Sequence, residues 1–472
     1  MSQAFAQIAA PRRRRFAPVP ALEALRRQVK GAVIEPGGDG WDAATQAFNL
    51  TVRQEPALTA VPADEQDVIK IIEFARAQGM QVTAQRTGHN AEPLGDALDQ
   101  MILVKTDAMQ GVEIDVDRRI ARVRAGAKWG NVVPQASDLG LAALHGSTPD
   151  VSVAGYSLGG GVGWYSRKLG LSTNSVTAIE LVTADGEFRR VDHENEPDLF
   201  WALRGGGGNF GIVTALEVQL YVIPDIYAGV LFFPWERSSE VLHAWREWTE
   251  TVPDEMTSVG RILQLPPMPE LPEHLRGQKF VLVEGIYTGD EASGRDLMKP
   301  LRDLGPAMDT FAMVEPVGLS ELHMDPPTPV PYTGAGHMLG KLDAEAIDRF
   351  VAAAGPGSSS GLVSSEIRHL GGELHRPKPG NGALATFDAD FLTFGVGIVM
   401  DNANYQAHRA AIAAHAEAFA PFESGRQYLN FTEEHTDPAR FYTPHTYRKL
   451  RQVKRAYDPG NLIRANHQIL PG

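Results

Sequence analysis

Cysteine is absent from all 472 residues. That absence removes disulfides, thiolate nucleophiles, Cys-ligated zinc and iron–sulfur clusters, so any redox chemistry must run on a bound cofactor. Long apolar runs are missing too. The stretch L-T-F-G-V-G-I-V-M at 392–400 is broken by glycines and falls well short of the roughly 20 residues that cross a bilayer. Positive charge is scarce: 44 Lys and Arg stand against 58 Asp and Glu, and a net charge of −14 repels phosphate backbones and anionic lipid. Neither nucleic acid nor membrane is an expected partner. The exception is the start of the chain, where Arg12 to Arg15, Arg26, Arg27 and Lys30 oppose only Glu23, which reads as a solvated, mobile arm. The arginine run has the look of a twin-arginine signal, but F-A-P-V-P-A-L-E-A-L-R-R lacks the apolar stretch such a signal needs. Cytoplasmic residence is the expectation.

What is present is ordinary for a globular chain: 43% hydrophobic and 22% charged residues. At roughly 100 to 200 residues per domain, two or three packed units are expected. Asp64 can cap a helix whose Val68, Ile71, Ile72 and Ala75 share one face, with Gly79 as its stop. A strand at Gln81–Ala84 then runs into the loop Arg86-Thr87-Gly88-His89-Asn90. Segments 112–114 and 121–125 alternate around Asp117-Arg118 as a hairpin, and 177–183 turns at Asp185-Gly186 into another. From about residue 226 long strands such as 279–287 and 392–400 alternate with amphipathic helices near 238–250, 343–354 and 404–419. The Pro-rich stretches 265–272 and 326–331 read as loops.

Two glycine-dense stretches stand out, G-S-T-P-D-V-S-V-A-G-Y-S-L-G-G-G-V-G at 146–163 and R-G-G-G-G-N-F-G at 204–211. The first is too rich in glycine for a helix and reads as an ordered loop. Glycine lets a backbone approach a phosphate closely, yet it also makes tight turns, and the residues leave both readings open. No G-x-x-x-x-G-K-[ST], dinucleotide-binding unit or H-E-x-x-H is present, so no metal is expected. Gly155-Tyr156-Ser157-Leu158-Gly159 spells the G-x-S-x-G elbow of serine hydrolases. The elbow must feed a helix, and Gly160, Gly161 and Gly163 follow instead, so Ser157 reads as a loop hydroxyl for a cofactor phosphate. His89 by itself is a lone loop histidine.

Taken together, R-T-G-H-N at 86–90, the 146–163 loop, L-V-T-A-D-G at 181–186, the run 198–214 and Y-D-P-G-N-L-I at 457–463 resemble, in order and spacing, the berberine-bridge-type flavoproteins of the vanillyl-alcohol-oxidase family. The resemblance implies an α+β protein. A PCMH-type FAD-binding domain would span 51–225, with 421–472 returning to it after the 1–50 arm and first helix. An antiparallel-sheet substrate domain backed by helices, 226–420, would roof the flavin. His89 matches the histidine bonded to the flavin 8α-methyl. Arg86, Thr87, Gly88, Asn90, Ala91, Gly146, Ser147, Thr148, Ser152, Val153, Gly155, Tyr156, Ser157, Gly159, Gly160, Gly163, Trp164 and Asn174 match the loops that hold the cofactor. Ile212 and Val213 match backbone contacts to the adenine end, while Tyr428, Asn430 and Asn461 match residues bordering the ring.

Three departures qualify the match. The family often reads R-G-G-H-S at the histidine loop. Thr148 stands where bicovalent members have a cysteine, so a single histidyl bond is the expectation. In Tyr428-Leu429-Asn430-Phe431 the phenolate tyrosine of Y-x-N-Y has become Phe431, and in an extended strand Tyr428 would face the other way. A base would then come from His369 or Asp388, with Arg368 and His369 as pocket residues, or the substrate would need little base assistance. In the family the residue three after the cysteine position, here Val151, flanks the face where oxygen reacts, and a valine there leaves space that a leucine fills. The expected activity is hydride transfer from a small-molecule C–H to FAD, with molecular oxygen as acceptor. A flavin dehydrogenase, a serine hydrolase at Ser157 and a flavin binder without turnover are the alternatives.

Overall fold

The computed structural model describes residues 20–267, 273 and 276–472, so the arginine run at 12–15 and most of the Pro-rich stretch 265–272 lie outside it. Residues 20–30 are not a solvated arm. They form the helix Pro20–Gln28, in which Leu22 and Leu25 turn into the core, while Arg26 pairs with Glu23 and Glu35, and Lys30 with Asp64. Burying two leucines on one helical face contributes about 2 kcal/mol each, which outweighs the charge run read from sequence.

The helix Glu65–Gln78 is capped as its sequence requires: Asp64 accepts from the N–H of Gln66 and Asp67, and Gly79 ends it at φ 66°. It packs on a four-stranded sheet in which Leu58–Val61 and Gln81–Gln85 flank Met101–Lys105 in parallel, and Ala32–Ile34 adds an antiparallel edge. A second, antiparallel sheet runs Val112–Asp115, Ile120–Arg124, Ile212–Gln219, Val176–Val182, Phe188–Val191. The C-terminal helix Pro444–Tyr457 returns to this half. There the wholly buried Lys454 donates to the carbonyls of Asn209 (2.7 Å) and Ile463 (2.6 Å) and to Asp458 (2.6 Å). Asp458 also takes the N–H groups of Leu462 and Ile463, so this acid is why Y-D-P-G-N-L-I accompanies the glycine run at 205–208.

Residues 226–398 build the third sheet, eight antiparallel strands in the order Met308–Asp309, Ile226–Pro234, Lys279–Tyr287, Met256–Gln264, Ser364–His369, Phe391–Ile398, Tyr332–Leu339, with Ala312–Val314 beside the second. Side chains alternate across a strand, so the sheet has two characters. Val281, Val283, Ile262 and Ile367 face the helices Ser238–Thr249, Ala344–Ala354 and Asn402–Phe419 through Trp245, Phe350 and Phe419. The intervening positions put Arg261, Glu284, Glu366 and Arg368 on the other face. Loops 162–171 and 428–431 close over that face through Val162, Leu171, Tyr428 and Phe431. The architecture is α+β, with a helix-backed antiparallel sheet as expected. Among the described residues no helix is long and apolar enough to cross a membrane.

Candidate active site

The strand Gln81–Gln85 ends in a turn at Gly88, φ 79°, where a Cβ would sit 3.0 Å from Ala47 Cα and from the Gln85 amide. Only glycine fits. The turn half-buries His89, whose ring stacks on Phe48 with centroids 3.8 Å apart. Nδ1 lies 2.9 Å from Thr87 Oγ1, and Nε2 is buried with no partner. Burial, and after it the Lys128 cation, lowers the imidazole pKa to about 3, so the ring is neutral. Asn90 donates to the Leu429 carbonyl at 3.1 Å and keeps its own oxygen buried and unpartnered. Behind the loop, the Tyr332 hydroxyl lies 2.9 Å from the His89 carbonyl and 3.2 Å from Glu433. One hydroxyl proton serves only one of them. With the carbonyl nearer, Glu433 must supply the other hydrogen, and burial does hold its proton, raising the carboxyl pKa to about 8.

Most glycines of 146–163 are required by packing within the protein. A Cβ on Gly146 or Gly161 would strike the Tyr156 ring, one on Gly163 the His145 carbonyl at 1.9 Å, one on Gly159 would meet Asn430 Oδ1 at 1.8 Å, and one on Gly160 would meet Leu384 and Tyr428. These glycines are forced by protein packing around Tyr156 and Tyr428. Gly155 is the exception: it is exposed, and a Cβ there meets nothing within 4 Å. The stretch is also not all loop. Ser152 caps a short helix, Val153–Leu158, whose Val153, Ala154, Tyr156 and Leu158 join the core and offset the cost of its glycine. Ser157 therefore sits inside a helix, fully buried, with its hydroxyl 3.2 Å from that of Ser172. The strand-to-helix elbow of a hydrolase is not formed, and Ser157 is no loop hydroxyl.

Tyr428 and Phe431 are not on opposite faces. Residues 429–431 form a 3₁₀ turn, which brings positions three apart onto one side, and the two rings stack with centroids 5.5 Å apart. The Tyr428 oxygen accepts from the N–H of Gly161 (2.9 Å) and Val162 (3.1 Å) and from Asn430 Nδ2 (3.1 Å). Burial raises its pKa to about 12 against the pull of those donors, so the phenol keeps its proton. Asn430 also donates to the Tyr156 carbonyl at 3.0 Å.

Several residues expected at the cofactor have other employment. Arg86 gives its guanidinium to the Gly126 carbonyl (2.6 Å) and to Asp107 (2.7 Å). Asn174 clamps the loop 382–385 through Gly382, Leu384 and Ala385. Asn461 is a turn residue at φ 52° whose main-chain carbonyl takes Gln81 Nε2, at the opposite end of strand Gln81–Gln85 from the His89 loop, about 13 Å away at 3.3 Å per residue, while its side-chain oxygen is buried without a partner. Ile212 and Val213 fare better: strand Ile120–Arg124 pairs only from Ala215 onward, which leaves their edge without a strand partner. Ala91 and Val153 are buried, Thr148 Oγ1 lies 3.5 Å from the Asp150 N–H, and half-buried Val151 accepts from the Trp129 N–H.

Both base candidates are engaged by arginines. Asp388 is exposed and paired with Arg426 at 2.9 Å. His369 is buried, and its Nε2 lies 2.8 Å from the Arg167 guanidinium. A guanidinium only donates, so that lone pair is taken, and burial holds the ring neutral. His369 and Arg368 do line a cavity with Ser147 and Trp164. Behind Arg368 lies a buried charge cluster: His323 contacts Glu284 through Nδ1 and Glu366 through Nε2 (2.8 Å), Arg261 reaches Glu284 (2.9 Å), and Arg368 reaches Glu366 (2.6 Å). Glu284 chiefly, with Glu366, raises His323 to about 9 against the burial that opposes it.

Phe48, Lys128, His145, Tyr332, Glu433 and His323 belong to the site without standing in any of the motifs read from sequence. His145 had a signal, standing beside Gly146 in the glycine-dense stretch. It is buried, its Nδ1 faces the Gly146 carbonyl at 2.7 Å, and its Nε2 has no partner. The others carry no signal of their own in the sequence.

Residues 56–192 match the family model described as an FAD binding domain, and residues 427–470 the one described as berberine and berberine like. The chain is 29% identical over 475 residues to (R)-6-hydroxynicotine oxidase of Paenarthrobacter nicotinovorans, covering 94% of this chain and 97% of that protein. It is 27% identical over 490 residues to chitooligosaccharide oxidase of Gibberella zeae, covering 96% and 94%. Its fold superposes with a TM-score of 0.80, at 22% identity and over 96% of this chain and 99% of the other, on glucooligosaccharide oxidase from Acremonium strictum, a structure described by its 6-S-cysteinyl, 8α-N1-histidyl FAD.

Proposed function

Because the chain is a berberine-bridge-like, FAD-linked oxidoreductase, we propose that it is an oxidase that carries FAD on His89 through a single covalent bond and passes electrons from a small-molecule C–H to molecular oxygen. Segments 51–225 and 421–472 are the flavin half in this reading, and 226–420 the roof. The observation that carries it is the buried, unpartnered Nε2 of a neutral His89, a ring nitrogen with nothing in the protein to bond. Asn90 Oδ1 beside it, the open space over Gly155 and the free edge of Ile212 and Val213 fit the rest of the group. With Thr148 where a cysteine would be, one bond is the most this chain can make. The flavin, once bound, supplies the hydride acceptor.

The chain's own residues hold and exclude. Tyr428, fixed by three N–H groups, and Phe431 stacked on it form a dry wall. With His369 occupied by Arg167 and Asp388 outside the site, a substrate whose own lone pair assists hydride departure, an amine, suits the site better than an alcohol that must shed a proton to a base. Anaerobic bleaching of a yellow protein by amines, with peroxide formed on admitting air, tests the reading. A colourless protein, or one that no substrate bleaches, ends it.

Two results are expected at the edges of the site. Val151→Leu should slow reoxidation about tenfold, a barrier change of about 1.4 kcal/mol, without releasing flavin; stopped-flow mixing of reduced enzyme with oxygen reads it. Wild-type enzyme that stays reduced in air for minutes yet reacts at once with a quinone is a dehydrogenase instead. The second concerns Glu433. Its folded pKa of about 8 lies above the ordinary carboxyl value, so between those two pH values the native state binds more protons than the unfolded one, and stability falls as pH rises. Glu433→Gln should flatten that fall, gaining on wild type from pH 5 to pH 9 in urea titrations. Parallel pH profiles would show that the carboxyl titrates normally.

A further inference from the structure

The cavity between loop 162–166 and the charged face of the large sheet is lined by Ser147, Trp164, Thr257, Val259, Arg368 and His369, with Arg368 the charged group among its described lining residues. The buried polar atoms of this lining that lack partners are donors. Because His369 Nε2 accepts from Arg167, its ring hydrogen is on Nδ1, which is buried and unpartnered in a residue 8% exposed. Trp164 Nε1, in a residue 4% exposed, is likewise buried and unpartnered, and an indole nitrogen can only donate. Arg368 spends its Nε on Glu366 and lies over the Phe431 ring at 5.1 Å. Its NH2 is 3.2 Å from His323 Nε2, but His323 directs both ring nitrogens at carboxylates and has no lone pair to offer. The outer edge of the guanidinium is therefore left without an acceptor.

Leaving a buried donor unpaired costs about 1–3 kcal/mol, and two of them beside the outer edge of a guanidinium, around one small space, call for a group that only accepts. We propose that the cavity binds a carboxylate borne by the substrate, with the outer edge of Arg368, Trp164 Nε1 and His369 Nδ1 as its donors. Arg261, His323 and Arg368 are balanced by Glu284, Glu366 and Asp325, the last held by Ser147 at 2.7 Å. Recognition thus rests on directed donors rather than on a net field. The proposal leans on the oxidase reading only in calling the ligand a substrate.

The test uses purified full-length protein with its flavin and benzoate as probe, followed by calorimetry and by the flavin absorption band, against benzylamine and benzamide. Benzoate should bind saturably and more tightly than either comparison compound. Arg368→Leu should weaken it roughly 10- to 100-fold, as loss of a hydrogen bond to a charged group does. Trp164→Phe, which keeps an aromatic ring but removes the indole N–H along with the five-membered ring, should weaken it several-fold and guards against an Arg368 variant that fails to fold. Benzylamine binding as tightly as benzoate, or benzoate affinity indifferent to Trp164→Phe, overturns the proposal. Benzoate binding to a protein that never carries flavin would uphold the site and end the oxidase reading; a yellow, substrate-bleached enzyme that ignores benzoate would do the reverse.

Discussion

Replacing His89 by alanine should yield a protein that surrenders all its flavin on denaturation, whereas the wild type stays yellow after acid precipitation and fluoresces as a band on a denaturing gel. The expectation is all-or-none because a covalent bond survives unfolding and a folded pocket does not. Stacking on Phe48 at 3.8 Å fixes the ring plane, the Thr87 hydroxyl at 2.9 Å engages Nδ1, and burial keeps the imidazole neutral with Nε2 free. The loss of one stacked pair should cost the fold only about 0.5–1.5 kcal/mol, so His89→Ala should still fold and bind FAD reversibly. The chain has no cysteine, so peptide mass analysis should find a single flavin-bearing peptide, the one containing residue 89. Free FAD in the supernatant of the precipitated wild type would sink the tether.

Lys454→Met should be the most destabilising single change considered. The ammonium is wholly buried and saturated by two carbonyls and Asp458, and that arrangement ties the C-terminal return to the glycine run at 205–208. Burial alone would lower the lysine's pKa, and Asp458 works against that shift. Removing the cation leaves a buried carboxylate with only two backbone N–H groups, and breaking a buried pair from one side costs about 3–5 kcal/mol. Against a total stability of roughly 5–15 kcal/mol, that should appear as a large fall in the denaturant midpoint and in soluble yield. Asp458→Asn in the same chain should recover part of the loss, since no lone charge then remains buried, and the double-mutant cycle measures the coupling. An unchanged midpoint for Lys454→Met would show that the return is held by packing alone.

The parts of the fold legible in the amino-acid sequence are those set by neighbours in the chain. Asp64 and Gly79 bracket their helix because capping groups act within a few residues. The alternation in 112–124 and 279–287 gives strands because the side-chain period is local. The place of His89 at a strand-to-loop turn follows from Gly88, and the lack of cysteine points to a bound redox cofactor.

The sequence is least informative where a local pattern has more than one tertiary use. A glycine in sequence says that a Cβ is not tolerated, but not what the Cβ would strike: at 146 and 161 it is Tyr156, at 163 the His145 carbonyl, and at 155 open space. His369 and Asp388 are both titratable residues in the substrate half, and only the fold shows one lone pair facing Arg167 and the other side chain facing solvent beside Arg426. The 3₁₀ turn that puts Tyr428 over Phe431 is fixed from outside the segment, by the N–H groups of Gly161 and Val162 and by Asn430 reaching the Tyr156 carbonyl 274 residues away.

Chain neighbours thus determined the element types, the turn that carries His89 and the exclusion of thiol chemistry, because hydrogen-bond caps, steric limits on φ and side-chain periodicity act over a few residues. The tertiary structure alone decided which of those groups is buried, which lone pair is taken and which donor is left without an acceptor. Desolvation and hydrogen bonding depend on whatever atoms stand within a few ångströms, and in a folded chain most of those come from segments far away in sequence.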